Sequence, residues 1–94
     1  MPLEGLYKGN KMQRYIAHKK LYIGQLVVVT AAKTAQVYTI AHINHEIRHV
    51  SLVWIEGNQK CVSSYDYFCL FKPTLEQIET SIAINGRLVS TKDI

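Results

Sequence analysis

The stretch "HVSLVWIEGNQKCVSS", residues 49–64, decides the fold class. In its first half Val50, Leu52 and Trp54 alternate with Ser51 and Val53, the two-residue period of a strand with one face turned inward. Gly57-Asn58 then supplies two residues that tolerate positive φ, as a tight hairpin turn demands. Lys60 to Ser64 resumes as a short strand. The segment therefore predicts an antiparallel hairpin, and the sequence on either side extends it.

Upstream, "LYIGQLVVVT" (21–30) is β-branched and apolar and predicts a first strand, with Gly24 at a bulge or a tight bend. "AAKTA" (31–35) connects it to a second strand, "QVYTIAHI" (36–43), and "NHEIR" (44–48) joins that strand to residue 49. Downstream, Tyr65-Asp66 predicts a turn and Phe68 to Phe71 a short closing strand, which Pro73 ends. "PTLEQIETSIAING" (73–86) predicts a helix. Thr74 and Gln77 fit a capping box, Glu76 and Glu79 suit its first turns, and Gly86 suits its end. Leu75, Ile78 and Ile82 form the apolar stripe expected to dock on the β layer. Residues 87–94 read as a strand fragment or a frayed tail. Met12, Tyr15 and Ile16 are expected to share one face of a short helix that pins the N-terminal segment.

Several short consecutive strands with tight turns suggest a small, strongly bent antiparallel barrel. The arrangement of "GQLVVVT", "AQVYTIAHI", "VSLVWI" and "CVSSYDYFCLF" resembles the SH3-like small barrels, the group that includes the KOW and Tudor types. The resemblance covers roughly residues 21–72 and rests on strand lengths and turn positions. An OB-fold ranks second, because it wants longer strands and a helix before the last one. The resemblance implies a module that binds rather than one that catalyses, and it leaves the ligand open. The expected organisation is a basic N-terminal arm (1–20), an SH3-like barrel (21–72), a C-terminal helix packed on it (73–86) and a tail (87–94).

A chain of 94 residues supports one small core, and its 48% apolar and 19% charged composition is that of an ordinary globular domain. No apolar run approaches the length of a membrane helix, and no apolar signal segment follows the first basic residues, so a cytoplasmic location is expected. Cys61 and Cys69 form no CxxC pair and read as buried thiols. The net charge of +4 is localised: Lys8, Lys11, Arg14, Lys19 and Lys20 face only Glu4 within residues 1–20, and the remainder is balanced. Such a segment attracts phosphate backbones or an acidic protein surface, or simply keeps the chain soluble.

"IAHINHEIRHV" (40–50) sets Glu46 among His42, His45 and His49. A hairpin brings His42 and His49 from opposed strand ends toward one face, where a metal would need a third ligand such as Glu46 or Cys61. No zinc-type spacing supports one, and no nucleophile motif, phosphate loop or carboxylate pair supports an enzyme. No metal and no cofactor is expected, and these histidines read as polar residues lining the hairpin.

The aromatics raise the stronger question, because Tyr22, Tyr38, Trp54, Tyr65, Tyr67, Phe68 and Phe71 crowd the strand segments. Trp54 and Phe68 are expected in the core. Tyr65, Tyr67 and Tyr38 are the candidate contact face, where rings beside basic residues stack bases or hold cations. Two partner classes follow: nucleic acid bound by Lys8, Lys11, Arg14, Lys19, Lys20, Tyr38, Tyr65 and Tyr67, or a protein partner or homodimer formed through the same aromatics. No membrane and no small-molecule substrate is expected.

Overall fold

A computed structural model describes residues 13–94, and Lys8, Lys11 and Met12 lie outside the described residues. The protein is mainly β: four antiparallel strands form one open sheet, followed by a C-terminal helix. The strands are β1 (Leu26–Val27), β2 (Tyr38–Asn44), β3 (His49–Glu56) and β4 (Gln59–Asp66), in the spatial order β1-β2-β3-β4. Each connection joins spatial neighbours, so the sheet is a meander.

The β3–β4 hairpin follows the sequence closely. β3 pairs with β4 without a break from His49↔Asp66 to Glu56↔Gln59. Gly57 (φ 58°) and Asn58 (φ 42°) make the turn, both in the left-handed region that matches the twist of the flanking strands. The β2–β3 turn is longer. Asn44 Oδ1 accepts the backbone N–H groups of Glu46 (3.0 Å) and Ile47 (3.3 Å), and Arg48 (φ 60°) returns the chain to β3. The β2–β3 register shifts between Ile40 and His42, which places a bulge at Ala41.

The expected first strand over 21–30 is reduced to two residues. Gly24 (φ 95°) turns the chain ahead of β1, and Gln25 N–H donates to Tyr22 O (3.2 Å). A Cβ at Gly24 would overlap Thr91 Cγ2, so only glycine fits this close approach. The expected closing strand over 68–71 is likewise one residue wide. Val28 and Phe71 exchange both backbone hydrogen bonds at 2.9 Å, and Phe71 also bridges Tyr15 on its other side. Ile16 N–H donates to Leu70 O (2.9 Å) and Lys72 N–H to Arg14 O (2.7 Å). Tyr15 thus sits in a β-bridge, not on the short helix expected after Asn10, and residues 14–16 belong to the β layer instead of forming an arm. The turn expected at Tyr65-Asp66 lies at Tyr67-Phe68, because β4 continues to Asp66.

Two apolar clusters fill the interior. Ile16, Val27, Ile40, Val50, Leu52, Tyr67 and Leu70 form the larger, and Val28, Ala35 and Val37 form a smaller one against Leu26, Phe71, Ile78 and Leu88. Burying aliphatic chains of this size contributes about 1.5–3 kcal/mol each before the entropy of ordering is set against it. Phe68 is exposed instead of buried, and Trp54 is half-buried with its indole N–H donating to Glu56 Oε1 (3.2 Å). Neither thiol is buried: Cys61 is half-buried and Cys69 exposed.

The helix α1 (Leu75–Asn85) begins and ends as expected. Thr74 Oγ1 accepts Gln77 N–H (3.1 Å), Gln77 Oε1 accepts Thr74 N–H (3.0 Å), and Gly86 (φ 100°) terminates it. Its docking face is different from the expected one. Leu75 is 69% exposed and Ile82 42%, while Gln77 and Ser81 are buried, with Ile78 the one member of the stripe packed inward. Gln77 Nε2 donates to Ala32 O (2.8 Å) and Thr30 O (3.3 Å). Ser81 Oγ accepts Val37 N–H (2.9 Å) and donates to Ala35 O (3.3 Å), and Asn85 donates to Gln36. The connector between β1 and β2 makes no ladder at residues 30–37, so its buried backbone groups need partners, and this polar helix face supplies them.

Residues 87–94 do not fray. Thr39 Oγ1 donates to the carbonyl of buried Val89 (2.7 Å), and a 3-10 turn over Thr91–Asp93 closes the chain. Ser90 and Asp93 cap that turn reciprocally, and Arg87 pairs with Asp93 at 2.8 Å.

Candidate functional site

The residues expected to act together do not form one site. Tyr67 is 4% exposed in the main core, wedged among the rings of His18 (centroids 5.4 Å apart), His45 (5.6 Å) and Phe68 (5.0 Å). A ring held on so many sides offers no face for stacking a base. Tyr38 is half-buried, its ring edge-on to Trp54 at 4.9 Å. Burial pushes its phenol above the ordinary value, and Tyr65 and Glu56 push in the same direction. Tyr65 is exposed on β4, opposite Val50.

The basic residues divide as well. Lys8 and Lys11 lie outside the described residues. Lys19 is exposed on the 3-10 turn His18–Lys20, while Arg14 and Lys20 border a half-open groove of about 680 Å³ that Lys19 does not line. This volume is within the range of small-ligand clefts. One wall is the segment from Arg14 to Lys20, the other runs from Tyr22 through Gly24 to Leu26, and Lys72, Pro73 and Ile78 close the end. Phe71 between Tyr15 and Val28 holds the two walls apart, and the Lys72–Arg14 backbone bond fixes the far corner.

The lining is one-sided in charge. Arg14, Lys20 and Lys72 are exposed cations, and among the described residues no carboxylate lines the groove. Among the described residues the single ion pair is Arg87–Asp93, which includes none of these three. Two tyrosines stand beside the cations: Tyr15 is 52% exposed, edge-on to Phe71 at 5.8 Å, and Tyr22 is 60% exposed. Tyr22 is placed by Gln25, whose Oε1 accepts its backbone N–H (3.0 Å). No local sequence signal marks Tyr15 and Lys72, which meet only through the tertiary pairing of residues 14–16 with 70–72, or Tyr22, which the Gln25 turn brings to the facing wall.

The histidines resolve without a ligand set. The register puts His42, Asn44, His49 and Ser51 on one sheet face, and His49 Nδ1 lies 3.1 Å from Ser64 Oγ. Among the described residues no group of three His, Cys, Asp or Glu side chains is placed to hold a metal ion. No described helix is long and apolar enough to cross a membrane. No family model, curated protein or solved structure matches this chain.

Proposed function

We propose that this protein is a non-enzymatic small-barrel binding module whose groove takes a single strand of nucleic acid. The observation carrying this reading is the juxtaposition of exposed Tyr15 and Tyr22 with Arg14, Lys20 and Lys72 in one groove that no carboxylate of the described residues lines. Cations along a groove hold successive phosphates, and rings between them stack the bases. A duplex hides its base faces, so the two tyrosines favour a single strand. The SH3-like reading is supported by the Val28–Phe71 exchange, which ties the chain beyond β4 to the β1 end of the sheet. Self-assembly draws on other residues, those of the free β4 edge.

Fluorescence anisotropy of labelled single- and double-stranded oligonucleotides tests the groove. Three phosphate contacts give a log–log salt slope of about −2 for a single strand. Lys20→Glu and Lys72→Glu flatten that slope, and Tyr15→Ala or Tyr22→Ala each weaken binding by about 1–3 kcal/mol. Binding that ignores all four substitutions, or no binding at low salt, removes the nucleic-acid reading.

A further inference from the structure

β4 is the most exposed strand among the described residues. Seven of its eight residues are exposed, Val62 is 62% exposed, and no described strand pairs with its outer side. Its register with β3 identifies which backbone groups face outward. The two-residue turn makes Glu56↔Gln59 a hydrogen-bonded pair, and alternation then gives the same status to Cys61, Ser63 and Tyr65. Lys60, Val62, Ser64 and Asp66 therefore point their N–H and C=O groups away from the sheet.

Free edges of this kind invite strand addition, and charges on them restrict what can add. Lys60 and Asp66 are the only charged residues of β4, and they stand symmetrically about Ser63. We propose that β4 pairs with β4 of a second copy, antiparallel about a two-fold axis at Ser63. In that register each Lys60 faces Asp66 of the other copy, and Val62 faces Ser64. All four lie at outward-bonding positions. On the opposite face the exposed Tyr65 covers the half-buried Cys61 across the axis. Shifting the axis to Val62 or Ser64 keeps the hydrogen bonds but separates both charge pairs, so charge selects the register.

The side chains are available for this arrangement. Asp66 Oδ1 accepts Phe68 N–H (2.8 Å), leaving the other carboxylate oxygen for the lysine. Lys60 Nζ donates to Asp93 O (3.1 Å), a carbonyl that leaves its remaining donors free. The two sheets then join into one, and the isologous symmetry closes the assembly at two copies.

Sedimentation equilibrium over a range of protein concentration reads the result. The native chain dimerises, whereas Lys60→Asp and Asp66→Lys each set like charges opposite one another twice and raise the dissociation constant about tenfold. An equimolar mixture of the two variants restores dimers, because every facing pair is again opposite in sign. Independently, Ser63→Cys, with Cys61 and Cys69 replaced by serine, forms a disulfide-linked dimer on oxidation. Its Cα atoms meet as a non-hydrogen-bonded pair about 4.5 Å apart, within disulfide reach. Ser64→Cys in the same background stays unlinked. A native chain that remains monomeric, single variants that dimerise unchanged, or a Ser63→Cys chain that fails to cross-link overturns the proposal.

Discussion

The β2–β3–β4 meander and the layer opposite it, built from residues 13–28 and 70–94, hold together in different ways. In the meander each strand pairs with its sequence neighbour through a ladder, unbroken between β3 and β4 and interrupted once, at Ala41, between β2 and β3, so no single side chain carries the arrangement. The opposite layer has one two-residue strand and two isolated bridges. It relies on side chains reaching across the fold: Gln77 to Ala32, Ser81 to Val37, Thr39 to Val89. A ladder distributes its free energy over many backbone bonds, whereas a scaffold of single contacts concentrates it. The candidate groove lies in the second kind of structure, and the proposed dimer edge in the first.

Substitutions on the two sides should therefore differ sharply in cost. The largest effect is expected for Gln77→Ala, which removes the side-chain donor to the Ala32 and Thr30 carbonyls, breaks the capping box and frees the connector at residues 30–37. Losing these bonds together with the buried packing of Gln77 costs about 3 kcal/mol, read as a lowered midpoint in thermal or urea unfolding. Ser63→Ala on β4 is the matched control and should stay within about 0.5 kcal/mol. Equal losses at both positions would break the contrast. Gly24→Ala comes next. It forces a Cβ into Thr91 at a positive φ and should cost about 2 kcal/mol, loosening the 91–94 turn and the Tyr22 wall of the groove together. Ser81→Ala removes one bonded hydroxyl and leaves Val37 N–H without its partner, for about 1–2 kcal/mol.

The same contrast explains what could be read in advance. β3 was legible to the residue because its alternation and the Gly57-Asn58 turn are local signals. The Thr74–Gln77 capping box and the Gly86 stop were legible for the same reason. The first strand was overestimated because apolar residues at 21–30 look alike whether they pair in a ladder or drop singly into a core. The helix face was misjudged more instructively. Leu75, Ile78 and Ile82 satisfy the apolar period, but α1 docks on a connector whose unpaired peptide groups need hydrogen bonds more than apolar cover. Hydrophobic period carries no information about unpaired peptide groups in a distant loop. The groove was half legible: Arg14 and Lys20 belong to the basic segment, whereas Lys72 enters through a backbone pairing 58 residues away in the chain, between Arg14 and Lys72.

The smallest expected effect sharpens the contrast from the weak end of the assembled layer. Ser90 N–H (3.1 Å), Arg87 (2.8 Å) and the Ser90 hydroxyl (3.2 Å) hold the Asp93 carboxylate, with the backbone bond the leading cause, and bring its pKa down from 3.8 to about 2. A carboxylate depressed on folding stabilises the folded state above its ordinary value, and this contribution is lost as pH falls from near 3.8 through about 2. Asp93 is surface-exposed, so the loss should be local. Amide signals of Ser90 and Ile94 should shift through that window while those of β3 stay fixed, and Asp93→Asn should abolish the titration. Movement of the β3 amides in the same window would mean that the terminal turn and the meander unfold as one unit, and that the ladder depends on the single contacts after all.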